Sequence, residues 1–190
     1  LRRYADILSD QGREAEAAKL YGEALTRAGT GATWVHHLQL GGALERSGDW
    51  TGALPHLRKA VELAPDEPVA LNYLGYAQAE RGENLAEAVA LLERANRLQP
   101  DDAAVTDSLG WAYFKSGDLV RALPLLERAA QGQPSSVTIN EHLGDAYWRA
   151  GRRFEARYAW RAASIYADDA QKARIAAKLA DGVMQRTAAN

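Results

Sequence analysis

The 190-residue sequence predicts an all-α fold of repeated antiparallel helix hairpins. Three observations predict it. Glycines recur at Gly41, Gly75, Gly110 and Gly144, at intervals of 34, 35 and 34 residues, and a second glycine follows each by seven residues, at Gly48, Gly82, Gly117 and Gly151. Alanine pairs at Ala53 and Ala60, Ala88 and Ala95, Ala122 and Ala129, and Ala156 and Ala163 bracket one large apolar residue each, namely Leu57, Leu92, Leu126 and Trp160. Prolines at Pro65, Pro100 and Pro134 close the first three units. A fixed period of this length marks a stacked array, in which each unit leaves an apolar face that only its neighbours cover.

The elements follow in order. Helix pairs are expected at about 1–10 and 13–28, 33–46 and 50–64, 68–81 and 85–98, 102–116 and 119–131, and 136–150 and 153–167. Within each strong unit the first glycine lets two helix backbones approach closely, and the second ends the first helix in the left-handed conformation that glycine adopts without steric cost. The single extra residue of the 35-residue interval falls between Gly82 and Ala88, at a turn or helix start. The front pair keeps weaker offsets at Ala5, Gly12, Ala17, Tyr21 and Ala24, and Gly29-Thr30-Gly31-Ala32-Thr33 adds a longer turn after it. Pro55 and Pro124 sit near the second turn of a second helix, where each either removes a backbone hydrogen bond or marks a later helix start. A last helix, about 169–186, groups Ala173, Ala176, Ala177, Leu179, Ala180 and Val183 on one face and Lys172, Arg174, Lys178, Asp181 and Arg186 on the other. It reads as a cap with its polar face outward.

These columns resemble the tetratricopeptide (TPR) pattern W-x2-L-G-x2-Y…A-x3-F…P. Leu40-Gly41, Leu74-Gly75, Leu109-Gly110 and Leu143-Gly144 supply its L-G pair; Tyr113 and Tyr147 supply the tyrosine, with Leu44 and Gln78 in the other two units. The resemblance covers nearly the whole chain and implies a right-handed superhelical solenoid with a C-terminal capping helix. The implied domains are a degenerate or truncated repeat at 1–31, repeats at 32–67, 68–101, 102–135 and 136–168, and the capping helix and tail at 169–190. The blocks Asp107-Ser108-Leu109-Gly110-Trp111-Ala112-Tyr113 and His142-Leu143-Gly144-Asp145-Ala146-Tyr147-Trp148 also look like bacterial cell-envelope TPR proteins. In particular they are similar to outer-membrane lipoprotein adaptors that bring carboxyl-terminal processing proteases to their substrates. That resemblance implies a bacterial periplasmic, outer-membrane-associated location, with the cytoplasm as the alternative. The opening at Leu1, with neither initiator Met nor signal-peptide regions, reads as a processed product or an excised fragment.

Chemistry is hard to find. A formal charge of −2 gives no global basic field to draw in nucleic acid or anionic lipid. No apolar run approaches the roughly 18–20 residues that span a bilayer. The absence of cysteine excludes disulfides, thiolate zinc sites and a cysteine nucleophile. His36, His37, His56 and His142 include no i,i+4 pair, and no H-E-x-x-H, phosphate-binding or nucleophile-elbow motif is present. Asp101 and Asp102 read as helix N-caps. The expectation is a non-enzyme with no catalytic residue, cofactor or metal.

In a TPR array the first helices of the hairpins line a groove. Residues at −3, +1 and +4 around each first glycine share one helical face. They are Leu38, Gly42 and Glu45; Asn72, Tyr76 and Ala79; Asp107, Trp111 and Phe114; and Glu141, Asp145 and Trp148. The candidate protein-binding residues are Asn72, Tyr76, Asp107, Trp111, Phe114, Glu141, Asp145 and Trp148. Aromatic platforms beside carboxylates suit an apolar or basic segment of a partner protein. The alternative reading of the aromatic members is packing between repeats, and Trp34, Trp50 and Trp160 are read as structural. Chaperone-tail-binding relatives resemble one another in a clamp of lysine, asparagine and arginine. Here the equivalent columns hold Leu38, Gly42, Tyr73, Ala104 and Ser108, so that role is not expected. Arg149, Arg152, Arg153, Arg157 and Arg161 form a basic cluster, read as a solvated outer face or a docking patch for an acidic surface. The competing functions are a substrate-presenting region of a larger enzyme such as a transferase, and a self-associating module.

Overall fold

The computed structural model describes residues 1–183. Among them lie eleven α-helices and no strand: α1 (Arg2–Asp10), α2 (Glu14–Ala28), α3 (Trp34–Arg46), α4 (Trp50–Leu63), α5 (Pro68–Arg81), α6 (Leu85–Leu98), α7 (Ala103–Lys115), α8 (Leu119–Gly132), α9 (Val137–Arg149), α10 (Arg153–Tyr166) and α11 (Asp169–Asp181). A single 3-10 turn, Gly29–Gly31, occupies the long connection before α3. The expected helix ends fall within one residue of these, except at the C-terminus of α11. That helix stops at Asp181 with Gly182 at φ +75°, and Arg186, assigned to its polar face, lies outside the described residues.

Steric demands explain where helices stop. Gly48, Gly82, Gly117 and Gly151 all have positive φ, as the C-cap reading requires. After Gly48 and Gly117 the next helix starts with a capping aspartate, Asp49 accepting from Gly52 and Asp118 from Arg121, and Asp102 caps α7 in the same way by accepting from Val105. The extra residue of the 35-residue interval is absorbed at Asn84, which takes the left-handed conformation at φ 49° just before α6. Helices α4 and α8 continue through Pro55 and Pro124, so neither proline marks a later start.

The chain forms two compact units, Leu1–Leu74 and the residues from Gly75 onward, with the division inside α5. In the first, α1 packs on α2, α2 on α3 and α3 on α4, around Ala5, Leu8, Ala17, Tyr21, Leu40 and Ala43. A Cβ on Gly41 would stand 2.8 Å from Leu57 Cδ2, so a larger residue there would have to displace the buried Leu57 side chain. Arg46 ties the unit together by reaching Glu14, Ser9 and the Tyr73 hydroxyl.

In the second unit, successive helices from α6 to α11 pack in turn and α7 also meets α9. The same close approach recurs. A Cβ on Gly110 would lie 2.9 Å from Leu126 Cδ2, and one on Gly144 would run into the Trp160 indole, which is fully buried. Between hairpins a second device repeats. The Tyr113 hydroxyl donates to Glu93 at 2.5 Å, and 34 residues later the Tyr147 hydroxyl donates to Glu127 at 2.7 Å. Arg121 and Arg152 lie over the two tyrosine rings, 4.2 and 4.4 Å from their centroids.

The expected outward polar face of α11 is corrected by its contacts. Arg174 and Lys178 turn inward onto α9 and bind Glu141 and Asp145, because those carboxylates are buried there and need cations. Ile175, between them in sequence, is fully buried, so α11 is anchored by an apolar residue and ionic ones together.

Candidate functional site

The first helices of the second unit bring six of the eight candidate residues into two neighbouring groups. Trp111 is the centre of the first. Its indole stacks on His142 of α9 at 3.9 Å between centroids and on Phe114 at 4.7 Å, and its Nε1–H donates to Glu80 of α5. His142 is buried and joins Asp107 through Nδ1 at 2.9 Å, while its Nε2 stands 3.9 Å from Glu80. Tyr76 approaches the same imidazole, with centroids 6.1 Å apart. Asp107 is nearly fully buried, and its second oxygen, Oδ1, has no hydrogen-bond partner. Histidine 142 escaped the sequence reading because its column was not among those assigned to the groove. Its signal lay in the spacing: it stands 35 residues after Asp107, one residue off the period, on the neighbouring helix.

The second group is electrostatic. Arg174 holds both oxygens of Glu141 at 2.8 and 2.6 Å, and Lys178 bridges Glu141 at 2.7 Å and Asp145 at 2.7 and 2.8 Å. Burial alone would raise the Glu141 carboxyl, but the hydrogen bonds from Arg174 and Lys178 outweigh it and hold the pKa down at about 2. For Asp145 burial wins, and the pKa is raised despite Lys178 and the indole N–H of Trp160. The partner for these carboxylates is thus supplied by the chain itself.

Trp148 and Asn72 lie apart from the groups above. Trp148 is half-buried against Trp160, under the guanidinium of Arg153 at 3.8 Å. Asn72 belongs to the first unit, half-buried on α5, with its Oδ1 lacking a hydrogen-bond partner. Of the basic cluster, Arg149 lies over Phe114, Arg152 over Tyr147, and Arg153 and Arg157 over Trp148. Four of the five arginines therefore serve as lids on aromatic rings.

Between these groups is a cavity of about 380 Å³ walled by Tyr76, Glu80, Trp111, Thr138, His142 and Arg174, among others. It has aromatic faces on one side and the charges of Glu141, Asp145, Arg174 and Lys178 on the other. Among the described residues, no helix is long and apolar enough to cross a membrane.

Two family models, both described as tetratricopeptide repeat, match residues 44–111 and 108–180. Over 78 residues, 41% of this chain, the sequence is 38% identical to a TPR repeat-containing protein of Pseudomonas aeruginosa, of whose length the chain spans only 13%. Among solved structures it resembles a thermophilic TPR protein of Thermus thermophilus, with a TM-score of 0.79 at 23% identity, covering 94% of this chain and 97% of that one. It also resembles MamA of Desulfovibrio magneticus, with a TM-score of 0.72 at 21% identity, covering 87% and 92%. At such identities the structures speak for the fold alone.

Proposed function

Because this chain belongs to the tetratricopeptide-repeat family, we propose that it is a protein-interaction scaffold whose partner docks at the pocket between α5, α7 and α9. The observation that carries this reading is the wall formed by Tyr76, Trp111 and His142 beside an exposed threonine, Thr138, in one cavity. Aromatic side chains give large contact area at small entropic cost. The ligand is an apolar segment of a protein in preference to a basic one, because Arg174 and Lys178 already neutralise Glu141 and Asp145.

The finer role is that of a bacterial envelope adaptor, outer-membrane-associated in the periplasm, presenting substrates to a processing protease. It is supported by the resemblance of the two blocks around Trp111 and Trp148. A second reading is favoured by the small share of the Pseudomonas relative that the chain spans: the repeats serve as the substrate-presenting part of a longer protein.

Panning a random peptide library against the whole chain tests the pocket. Peptides enriched on it should lose at least tenfold in affinity to Thr138→Arg, which fills the cavity from an exposed helix position, and to Tyr76→Ala. Undiminished binding by both variants, with helical circular dichroism retained, would overturn the assignment. The complete reading frame separates the two roles, since a lipid-attachment cysteine supports the first and a catalytic domain the second.

A further inference from the structure

His37 of α3 and His56 of α4 face each other across one hairpin of the first unit. Their Nδ1 atoms are 3.1 Å apart, with ring centroids at 5.4 Å and ring planes inclined by 30°. The adjacent His36 is turned to another task, its Nδ1 capping the start of α3 at Thr33. Sequence spacing alone conceals the pair, because its members sit on different helices 19 residues apart.

We propose that His37 and His56 form a two-nitrogen site for one divalent transition-metal ion of the imidazole-preferring class, Cu2+, Ni2+ or Zn2+. Two imidazole nitrogens bound side by side to one ion, with bonds of about 2.0–2.1 Å, stand roughly 2.9–3.4 Å apart. The observed separation falls in that range. The two helices are close here: a Cβ on Gly41, one turn after His37, would stand 2.8 Å from the side chain of Leu57, the neighbour of His56. The ligands therefore stand on two helices held close together by the packing of Leu57 on Gly41.

The electrostatics suit a metal. Burial, then the neighbouring His56 and Lys59, push the His37 pKa down, and burial pushes His56 down. Lys59 is paired with Glu62 at 2.6 Å. In the metal-free pair one ring donates its Nδ1–H to the other Nδ1. On binding, a turn of the rings brings both lone pairs onto the ion, and the donor ring carries its proton on Nε2 instead, so no net proton is released. Among the described residues no cluster of three or more metal-ligating side chains occurs, so water completes the coordination.

The test is calorimetric titration of the whole chain with NiCl2 or CuCl2 alone, together with electron paramagnetic resonance of the Cu2+ form. The expected result is one ion per chain, two equatorial imidazole nitrogens in the spectrum, and a melting temperature raised by metal and restored by chelator. His37→Gln and His56→Gln should each weaken binding at least tenfold, whereas His36→Gln, which keeps a capping side chain, should leave it unchanged. Absence of saturable binding overturns the proposal, as does binding that survives in the double variant. Should a glutamine variant fail to fold, the spectrum of the unaltered chain still decides, because fewer than two coordinated imidazoles is incompatible with the site.

Discussion

Arg174 reaches back 33 residues from α11 to grip both carboxylate oxygens of Glu141 on α9, at 2.8 and 2.6 Å. Lys178, one turn further on, bridges Glu141 and Asp145. The last helix is therefore held by a charge network and by Ile175, so its docking depends on ionic partners that are themselves largely buried.

Lys178→Met is accordingly the damaging substitution in α11. It leaves Asp145 buried with only the Trp160 indole N–H as partner, and the loss of one member of a buried ion pair costs about 3–5 kcal/mol. Arg174→Gln should cost less, about 1–2 kcal/mol, because the Arg174 side chain is 54% exposed and Lys178 still holds Glu141. Urea denaturation of both variants checks the order, and equal losses would contradict the arrangement.

Acid stability follows from the same carboxylates. The Glu141 pKa is lowered in the folded chain to about 2 from an ordinary 4.5, so its contribution is complete above the unfolded value. It is lost as the pH falls through the folded one, a change on the order of 3 kcal/mol at full strength. Asp145, with a raised pKa, works in the opposite sense and stabilises at low pH, which blunts the total effect. The slope of stability against pH between about 4.5 and 2 should flatten in Glu141→Gln. An unaltered slope in that variant would assign the acid loss elsewhere.

The two glycine columns differ in kind, and alanine distinguishes them. At Gly144 an added Cβ meets the buried Trp160 indole, so Gly144→Ala should cost about 2–3 kcal/mol through displaced packing. At Gly117 nothing stands within 4 Å of the added Cβ, but φ is +86°, and Gly117→Ala should cost about 1 kcal/mol through backbone strain alone. Thermal melts monitored by near-ultraviolet circular dichroism separate them further: only Gly144→Ala should change the tryptophan signal.

What was legible in the sequence was what steric period imposes. Glycine at Gly41 or Gly144 and alanine at Ala88 announce close helix packing, and Asp102 announces the start of α7. Relations that depend on how one helix is rotated against a neighbour were not legible. The inward turn of Arg174 and Lys178 reverses the face a lone amphipathic helix suggests, because the acidic residues that claim them belong to α9. The stack of His142 on Trp111 and the pairing of His37 with His56 are likewise properties of two helices at once. All eight candidate residues were placed by register alone, and Tyr76, Trp111, Glu141 and Asp145 of them line the pocket.

The repeated tyrosine lock offers a test of whether this array stores stability hairpin by hairpin. Tyr113 donates to Glu93 and Tyr147 to Glu127, with Arg121 and Arg152 covering the respective rings. Tyr147→Phe keeps the ring, its packing and the arginine above it, and Glu127 keeps Arg152 at 3.3 Å, so no carboxylate is left alone. The expected cost is therefore only the net hydrogen bond, about 1 kcal/mol, and the same holds for Tyr113→Phe, where Arg121 stands 3.9 Å from Glu93. The two hydroxyls share no partner, so the double variant should lose the sum of the single losses to within about 0.5 kcal/mol. Equilibrium unfolding of the three variants measures this. A coupling well above that margin would mean that the two locks rise and fall together, and that stability here is not a sum over neighbouring repeats.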